Sequence, residues 1–567
     1  MNQYVHFVRV DTEKCHGRMK CMRVCPTEAI RIRNGNAVII EEKCIDCGEC
    51  ITVCPHHAIV PLTDPFGELT KFRYTIALPS PGLHAQFGKE VLPRKIISGL
   101  KNLGFDDAFD LSHTCGEVSF AIQEYLREYS GPKPLISIAC PTIVRLIQVK
   151  YPALIDQLIP VEVPREIAAR ELKKKKSKQL GIKEKEIGIF YLTPCPAKMI
   201  SIKQPAEKGK SDLDGAISIS DIYGPLLAAL EGVVQKEYRK DFEDICILGM
   251  GWAMSGGICR TLRLKNSLAA SGISDILKIF DDVERGKLRN IDFIEAYSCS
   301  QGCVGGSLTV ENLYISYNKI LKMIETLEIE RIKACPDIRD VRKLYKQNYY
   351  GIDGKIEPRP LKPLDTDLTK AIKKRIEKEE IYESLPKIDC GVCGAPTCMT
   401  LAEDIVKGEA RLTDCIFNLP QEIADFSQEL SEILEKSASF QSVKHGFTKA
   451  INKEGKKMTV KEIVKALNLK IIAGQESLNM EVTGGYTSDL LSDVIANCKE
   501  GNLWITLQTH QNIIAVAKLK DLAGIIIVSS REPDDDTLRK AEEEKVSILC
   551  SEDTAFGVSG RLYALIR

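Results

Sequence analysis

Short apolar runs alternate along most of this chain with longer stretches whose apolar residues recur every three to four positions. FRYTIAL (72–78), LISIAC (135–140), IGIFYL (187–192), DICILG (244–249) and DFIEAYS (292–298) are almost continuously apolar, as strands covered on both faces should be. Between them, Ser119 to Tyr129 and Ile222 to Lys236 carry a helical period. Strands alternating with helices predict an α/β domain with mostly parallel sheets over 62–345. The charged run ELKKKKSKQLGIKEKE (171–186) reads as solvated helix and loop. Beyond it, the proline-containing stretch 346–380 predicts a connector with one exposed helix. QEIADFSQELSEILEKSASF (421–440) predicts a linking helix within 421–454. The last stretch, 455–567, mixes the predicted strands NLWITLQ, NIIAVAKL and AGIIIVSS with helices and forms a separate α/β module.

A chain of 567 residues exceeds one core and divides into domains. Lys plus Arg and Asp plus Glu are each 78, so no net field draws it to nucleic acid or an anionic membrane. The longest apolar stretch, Ile245 to Ile258, is short and glycine-interrupted, and MNQYVHFVRVD has no apolar targeting core. The expectation is a soluble cytoplasmic protein. In such a chain, 21 cysteines read as metal ligands rather than disulfides.

Their grouping sharpens this. Residues 1–61 hold seven cysteines in two half-repeats, each ending in Cys-Pro and a short strand, CPTEAIRI and CPHHAIVP. Bacterial ferredoxins use Cys-x-x-Cys-x-x-Cys-x-x-x-Cys-Pro, with the last cysteine of each half completing the other half's cube. Cys44, Cys47 and Cys50 with Cys25 therefore predict one 4Fe-4S cluster. The first half has Arg18 in the second ligand position, leaving Cys15, Cys21 and Cys54 for the other site. That site admits a three-iron cluster, a non-cysteine ligand such as His16, or vacancy, so the module holds one or two clusters. Zinc does not account for the duplicated Cys-Pro pattern.

Three strand runs end at or next to cysteines, Cys140, Cys195 and Cys299, and Cys303 follows one turn later. Because ligands in open α/β sheets bind beyond the carboxyl ends of strands, these thiols can converge on one buried soft metal centre. ACP (139–141), PCPAK (194–198) and EAYSCSQGCVGG (295–306) resemble, in order and context, the three signatures of FeFe-hydrogenases, and the resemblance spans about residues 1–335. It implies an H-cluster, a 4Fe-4S cube on Cys140, Cys195, Cys299 and Cys303. Cys303 would bridge to a di-iron unit bearing CO, cyanide and azadithiolate. It further implies that Lys198 hydrogen-bonds an iron-bound cyanide, where a charge-assisted donor fits. Pro79, Ser80, Ser255 and Gly302 would be pocket contacts, the glycines of 302–306 allowing close backbone approach.

The sequence also departs from productive members. These read Cys-Cys-Pro at the first signature, and the first thiol passes protons to the azadithiolate amine; here that position is Ala139. A positioned acid or base is worth about 10² to 10⁴ in rate, so turnover should be slow. Ala121 and Ile122 occupy the stretch of the family's proton-path glutamates, with Glu124 out of register. Thr193 and Tyr297 stand where methionines usually line the pocket, and Ser201 replaces a glutamate.

Cys390, Cys393, Cys398 and Cys415, within 381–420, resemble a four-cysteine Fe-S domain of anaerobic electron-transfer and corrinoid-linked subunits and imply one further 4Fe-4S cluster. Residues 482–517 resemble the DRTGG domain, a regulatory module. Its Thr483-Gly484-Gly485 is read as a turn and His510 as a surface histidine. Cys115, Cys246, Cys259, Cys335, Cys498 and Cys550 are given no ligand role.

The fold class expected is therefore α/β and α+β, multidomain. It comprises a ferredoxin-like module, a two-lobed hydrogenase-type domain, a small Fe-S domain and a C-terminal α/β module. The function expected is a sensory FeFe-hydrogenase that binds or slowly oxidises H2 and relays redox state to the C-terminal module. Two alternatives stand beside it: an ordinary ferredoxin-linked hydrogenase with another proton path, and a non-catalytic hydrogenase-like Fe-S protein. The partners implied are H2 and protons, a ferredoxin or signalling protein, and maturation proteins for the di-iron unit, with no nucleic acid and no membrane. Nothing in the sequence excludes an oligomer.

Overall fold

A computed structural model describes residues 5–88, 91–231, 245–329, 335–359, 362–418 and 458–566. The chain divides into two compact units, residues 1–423 and 424–567. The predicted linking helix at 421–440 lies outside the described residues.

The first unit begins with a duplicated module. Strand Val8–Val10 pairs antiparallel with Ile59–Pro61, and Ile30–Arg33 pairs with Asn36–Ile39. Each cysteine loop leads into a short helix, Lys20–Arg23 or Glu49–Val53. The strands Ile30–Arg33 and Ile59–Pro61 are the apolar tails of the two Cys-Pro half-repeats, as expected for a ferredoxin-like unit.

Two parallel sheets follow. One places strands Asp107–Ala108, Tyr74–Pro79, Ile187–Thr193 and Gly215–Ser218 side by side; the other places Ser267–Ser271, Phe293–Tyr297 and Leu135–Ile136. Every residue of Ile187–Thr193 and of Phe293–Tyr297 is buried, which accounts for their uninterrupted hydrophobicity. The predicted two-lobed, mostly parallel architecture is present. Helices Pro141–Lys150 and Pro196–Lys203 each start on a proline at the first helical position, with Cys140 and Cys195 as their N-cap residues. Proline suits that position because its missing N–H would have no helical acceptor. A Cys-Pro pair at a strand end thus fixes the thiol where strand gives way to helix.

One predicted strand in this domain is wrong. In DICILG, Ile247–Met250 is a short helix packed on helix Ser112–Glu128. Its apolar residues serve helix–helix packing, and Gly249 lets the two backbones meet: a Cβ there would lie 1.7 Å from the Ser112 carbonyl oxygen. The charged run, by contrast, lies on helix Pro164–Leu180, ended by Gly181 at φ 66°. The exposed connector helix is Leu368–Ser384, none of whose residues is buried.

The second unit holds a five-stranded sheet ordered Lys470–Ala473, Ile548–Cys550, Gly524–Ile527, Asn502–Thr506, Gly484–Thr487, parallel except at the first pair. Two expectations fail here. NIIAVAKL is helix Asn512–Leu519, with Ile513, Ile514, Val516 and Ala517 buried, the i, i+1, i+3, i+4 pattern of one helical face rather than a strand. Gly484 and Gly485 open an edge strand instead of making a turn.

Candidate metal centre

The site forms where the carboxyl ends of the two sheets face each other. Cys195 follows strand Ile187–Thr193 by two residues, and Cys299 follows Phe293–Tyr297 by two. Cys140 lies four residues past the short strand Leu135–Ile136, and Cys303 opens a 3₁₀ turn after Gly302. The four thiols converge. Ser298 Oγ lies 3.6 Å from Cys140 Sγ and 3.8 Å from Cys299 Sγ. Lys198 Nζ lies 3.3 Å from Cys303 Sγ and 3.9 Å from Cys195 Sγ. Burial pushes the Cys299 thiol far up, and the neighbouring Cys195, Cys140 and Cys303 push it the same way. Four sulfurs gathered in a dry site are costly to ionise unless a cation takes the place of their protons. The donor set therefore fits a soft, thiolate-bound cluster.

Beside these sulfurs is a cavity lined by Ser80, Ala139, Lys198 and Cys303, and by Cys115, Arg165, Tyr191, Trp252 and Tyr297 among others. Lys198 is fully enclosed. Burial favours its neutral form, but the Cys195 and Cys303 sulfurs outweigh that and hold its pKa well above the usual lysine range. Arg165 adds a second cation. Its Nη2 donates to Ser201 Oγ at 3.0 Å, while its buried Nε has no hydrogen-bond partner. Two buried cations and an orphaned donor around one cavity call for a negatively charged, hydrogen-bond-accepting occupant.

The sequence-predicted residues divide. Ala139, Lys198, Cys303 and Ser80 line the cavity. Pro79 is the buried last residue of its strand. Ser255 and Gly302 pack on each other instead: the Ser255 N–H donates to the Gln301 carbonyl at 3.0 Å, and Gly302 has φ 88° with room for no Cβ, the Ser255 nitrogen lying 2.7 Å from where one would sit. Tyr297 donates through its hydroxyl to the Trp252 carbonyl at 2.9 Å. Thr193 is spent on the turn, its Oγ1 donating to the Cys195 carbonyl at 2.8 Å. Glu124 is held by Arg342 and Arg127, contacts that keep its carboxyl below the usual range. Sequence reasoning missed Cys115, Arg165, Tyr191 and Trp252. Only Arg165, a charge opening the apolar segment VPREIAA, left a readable signal.

The ferredoxin-like module abuts this centre. Gly48, between Cys47 and Glu49, packs so closely on Ser307 and Pro196 that a Cβ there would lie 2.3 Å from Ser307 Oγ. Cys25, Cys44, Cys47 and Cys50 line one shared pocket of the module. The backbone amide of Ala29 donates to Cys25 Sγ at 3.2 Å, as suits a thiolate ligand. Cys15, Cys21 and Cys54 line the other pocket with His16, Arg18 and His56. There the His56 ring stands edge-on to His16 at 4.7 Å, and its Nε2 is buried without a partner. Arg18 and His16 are exposed.

The module also carries the four-cysteine segment. Burial raises the Cys393 thiol, with Cys390, Cys415 and Cys398 adding to the effect, so these four thiols also gather. Arg31 makes a buried two-pronged pair with Asp404, 2.6 and 3.1 Å, and Arg33 joins it at 2.5 Å. The Ile32 amide donates to the Gly394 carbonyl at 2.8 Å.

Residues 73–264 match the family model "Iron only hydrogenase large subunit, C-terminal domain". Residues 7–55 match the 4Fe-4S dicluster domain, and residues 385–417 match an Fe-S cluster domain. This is a FeFe-hydrogenase-like protein with iron–sulfur domains. Cys299 and Cys303 lie beyond the matched segment and join the site through the fold. Iron hydrogenase 1 of Clostridium pasteurianum is 24% identical over 432 residues, 61% of this chain and 73% of that protein. The corrinoid/iron-sulfur protein large subunit of Moorella thermoacetica is 50% identical over 36 residues, 6% of this chain and 8% of its own. Among solved structures, a FeFe-hydrogenase of Chlamydomonas reinhardtii is similar at 16% identity and a TM-score of 0.40, covering 53% of this chain and 97% of that one. No described helix of this FeFe-hydrogenase-like chain is long and apolar enough to cross a membrane.

Proposed function

We propose that this protein is a sensory-type, cytoplasmic FeFe-hydrogenase that binds H2 and turns it over slowly, reporting redox state rather than sustaining flux. Cys140, Cys195, Cys299 and Cys303 would hold the cube of an H-cluster, with Cys303 shared with the di-iron unit. When bound, that group supplies the chemistry of hydrogen cleavage and formation. The chain's residues do the rest. Lys198 and Arg165 present N–H donors to anionic ligands, and Tyr191, Trp252 and Tyr297 keep bulk water out. The observation that carries the reading is Ala139 on the wall of the cavity that holds Lys198 and Cys303: a methyl group stands where a proton carrier is needed. Glu124 does not substitute, because its carboxylate is committed to two arginines.

Cys25, Cys44, Cys47 and Cys50 would hold the cluster that exchanges electrons with the main centre, since their loop touches Pro196 and Ser307. Cys390, Cys393, Cys398 and Cys415 would hold a further electron-carrying cluster, docked on the module through Arg31, Arg33 and Asp404. At the Arg18 site, Cys15, Cys21 and Cys54 would be completed by His56, whose enclosed Nε2 seeks a partner, rather than by exposed His16. The DRTGG-like module would receive the signal, and a ferredoxin or signalling protein would be the external partner. Maturation proteins would supply the di-iron unit.

The deciding experiment is infrared spectroscopy of the maturated protein. Bands of iron-bound CO and cyanide are expected, and they should shift reversibly under H2. Iron present without such bands would replace this reading with that of a non-catalytic Fe-S protein. High wild-type turnover would replace it with that of an ordinary hydrogenase.

A further inference from the structure

Two cysteines given no ligand role, Cys246 and Cys335, lie far apart in sequence and meet in the fold. Cys246 and Pro336, the residue after Cys335, pack together against Gly116, and Cys335 lines the same cleft as Ile245, the residue before Cys246. Cys246 is completely buried: its Sγ would lie 2.9 Å from a Cβ at Gly116, and its amide donates to Ser112 Oγ at 2.9 Å. Cys335 is only partly buried and lines a broad surface cleft with His113, Lys175, Lys176 and Ile245. One thiol thus faces solvent in a basic setting while the other waits behind it.

The environment separates their roles. The neighbouring Cys246 thiol, the Leu248 and Ile247 backbone and the nearby His113 lower the pKa of the Cys335 thiol and favour its thiolate. The Cys246 thiol is driven far up by the neighbouring Cys335 and by burial, which favours its protonated form. An accessible thiolate backed by a second thiol is the arrangement of a redox-responsive cysteine with its resolving partner.

We propose that Cys335 and Cys246 form a reversible thiol–disulfide pair, with Cys335 as the attacking and Cys246 as the resolving cysteine. The oxidant is a low-molecular-weight disulfide. The Cys335 thiolate attacks one of its sulfurs, forming a mixed disulfide and releasing one small thiolate. Cys246, losing its proton, then attacks the Cys335 sulfur, forming the Cys246–Cys335 bond and releasing the second small thiolate. The protein gives up two electrons, and the small disulfide is reduced to two thiols, one of which takes the Cys246 proton. The position gives the bond reach. Cys246 leads into the turn bearing Trp252, and it packs on helix Ser112–Glu128, which carries Cys115 into the cavity wall and anchors the Trp252 Nε1–H on Ser119 Oγ at 2.8 Å.

The test uses the full chain, purified without oxygen and with its clusters intact. It is exposed to glutathione disulfide, quenched with a maleimide and mapped by mass spectrometry. Wild type is expected to yield a peptide linked through Cys246 and Cys335 that excess dithiothreitol reopens. C246S should stop at a stable glutathione adduct on Cys335, and C335S should leave Cys246 unmodified. Unchanged visible absorbance of the clusters in both variants shows that they remain folded. A wild-type adduct on Cys335 that never resolves, or reaction at Cys498 or Cys550 before Cys335, overturns the proposal.

Discussion

Residue 139 concentrates the chemistry of the site into one side chain. Its methyl group borders the cavity beside Lys198 and Cys303 but can neither accept nor give a proton. Ala139→Cys should therefore raise hydrogen turnover by about 10² to 10⁴, measured as H2 evolution by the maturated protein, while the CO and cyanide bands persist. No gain at full cofactor loading would show that protons already travel by another route. Glu295 offers a second single-residue prediction. Burial lifts its carboxyl to about 7, although the amides of Cys259 and Gly256 donate to it at 2.8 and 3.1 Å and work against the rise. Its folded pKa exceeds the ordinary 4.5, so its neutral form favours the fold at low pH. That advantage declines as pH rises from about 4.5 through 7 and amounts to roughly 3 kcal/mol. In Glu295→Gln this pH dependence should vanish, leaving a flatter melting temperature between pH 5 and 8 than in wild type. Parallel curves would place the titration elsewhere. At the Arg18 site, His56→Ala should remove any nitrogen coupling seen in pulsed EPR of the reduced protein and convert a cube to a three-iron form. An unchanged coupling would point to His16.

At the scale of elements, what could be read in the chain depended on whether a segment's neighbours were local. Ile187–Thr193 was legible because burial on both faces leaves an unbroken apolar run, and the Cys-Pro pairs announced where each helix starts. DICILG misled because the same apolar content serves a short helix pressed onto Ser112–Glu128, a contact set by Gly249 and invisible in a periodicity. NIIAVAKL misled because eight residues are too few to separate period 2 from 3.6 when most are apolar. The four converging thiols of the main site could be picked out, but Arg165 and Trp252, which enclose it, reach it from elements remote in sequence. The docking of the four-cysteine segment was likewise hidden. It rests on Asp404, almost fully buried between Arg31 and Arg33. Asp404→Ala strands the Arg31 charge and should cost about 3–5 kcal/mol. Thermal unfolding followed at the cluster absorbance should show the Cys390–Cys415 cluster lost first, and a variant as stable as wild type would remove Asp404 from the docking.

For the whole molecule, the placement of ligands divides the labour between the two units. Every cysteine assigned to a cluster, from Cys15 to Cys415, belongs to the first unit. The second unit has its own apolar cores, around Ile505, Ile526 and Leu549 on one side of its sheet and Trp504, Ile525 and Ile527 on the other. A domain with its own core can fold without its neighbour, so iron binding and the hydrogen response should both survive removal of residues 424–567. The truncated protein is expected to carry the same iron per chain as the full one and to show the same infrared shift under H2, while residues 455–567 alone should fold without iron. A truncated chain that loses iron or its hydrogen response would mean that the second unit helps build the metal centre. Equal iron and an equal response would show that the first unit builds the metal centre without the second.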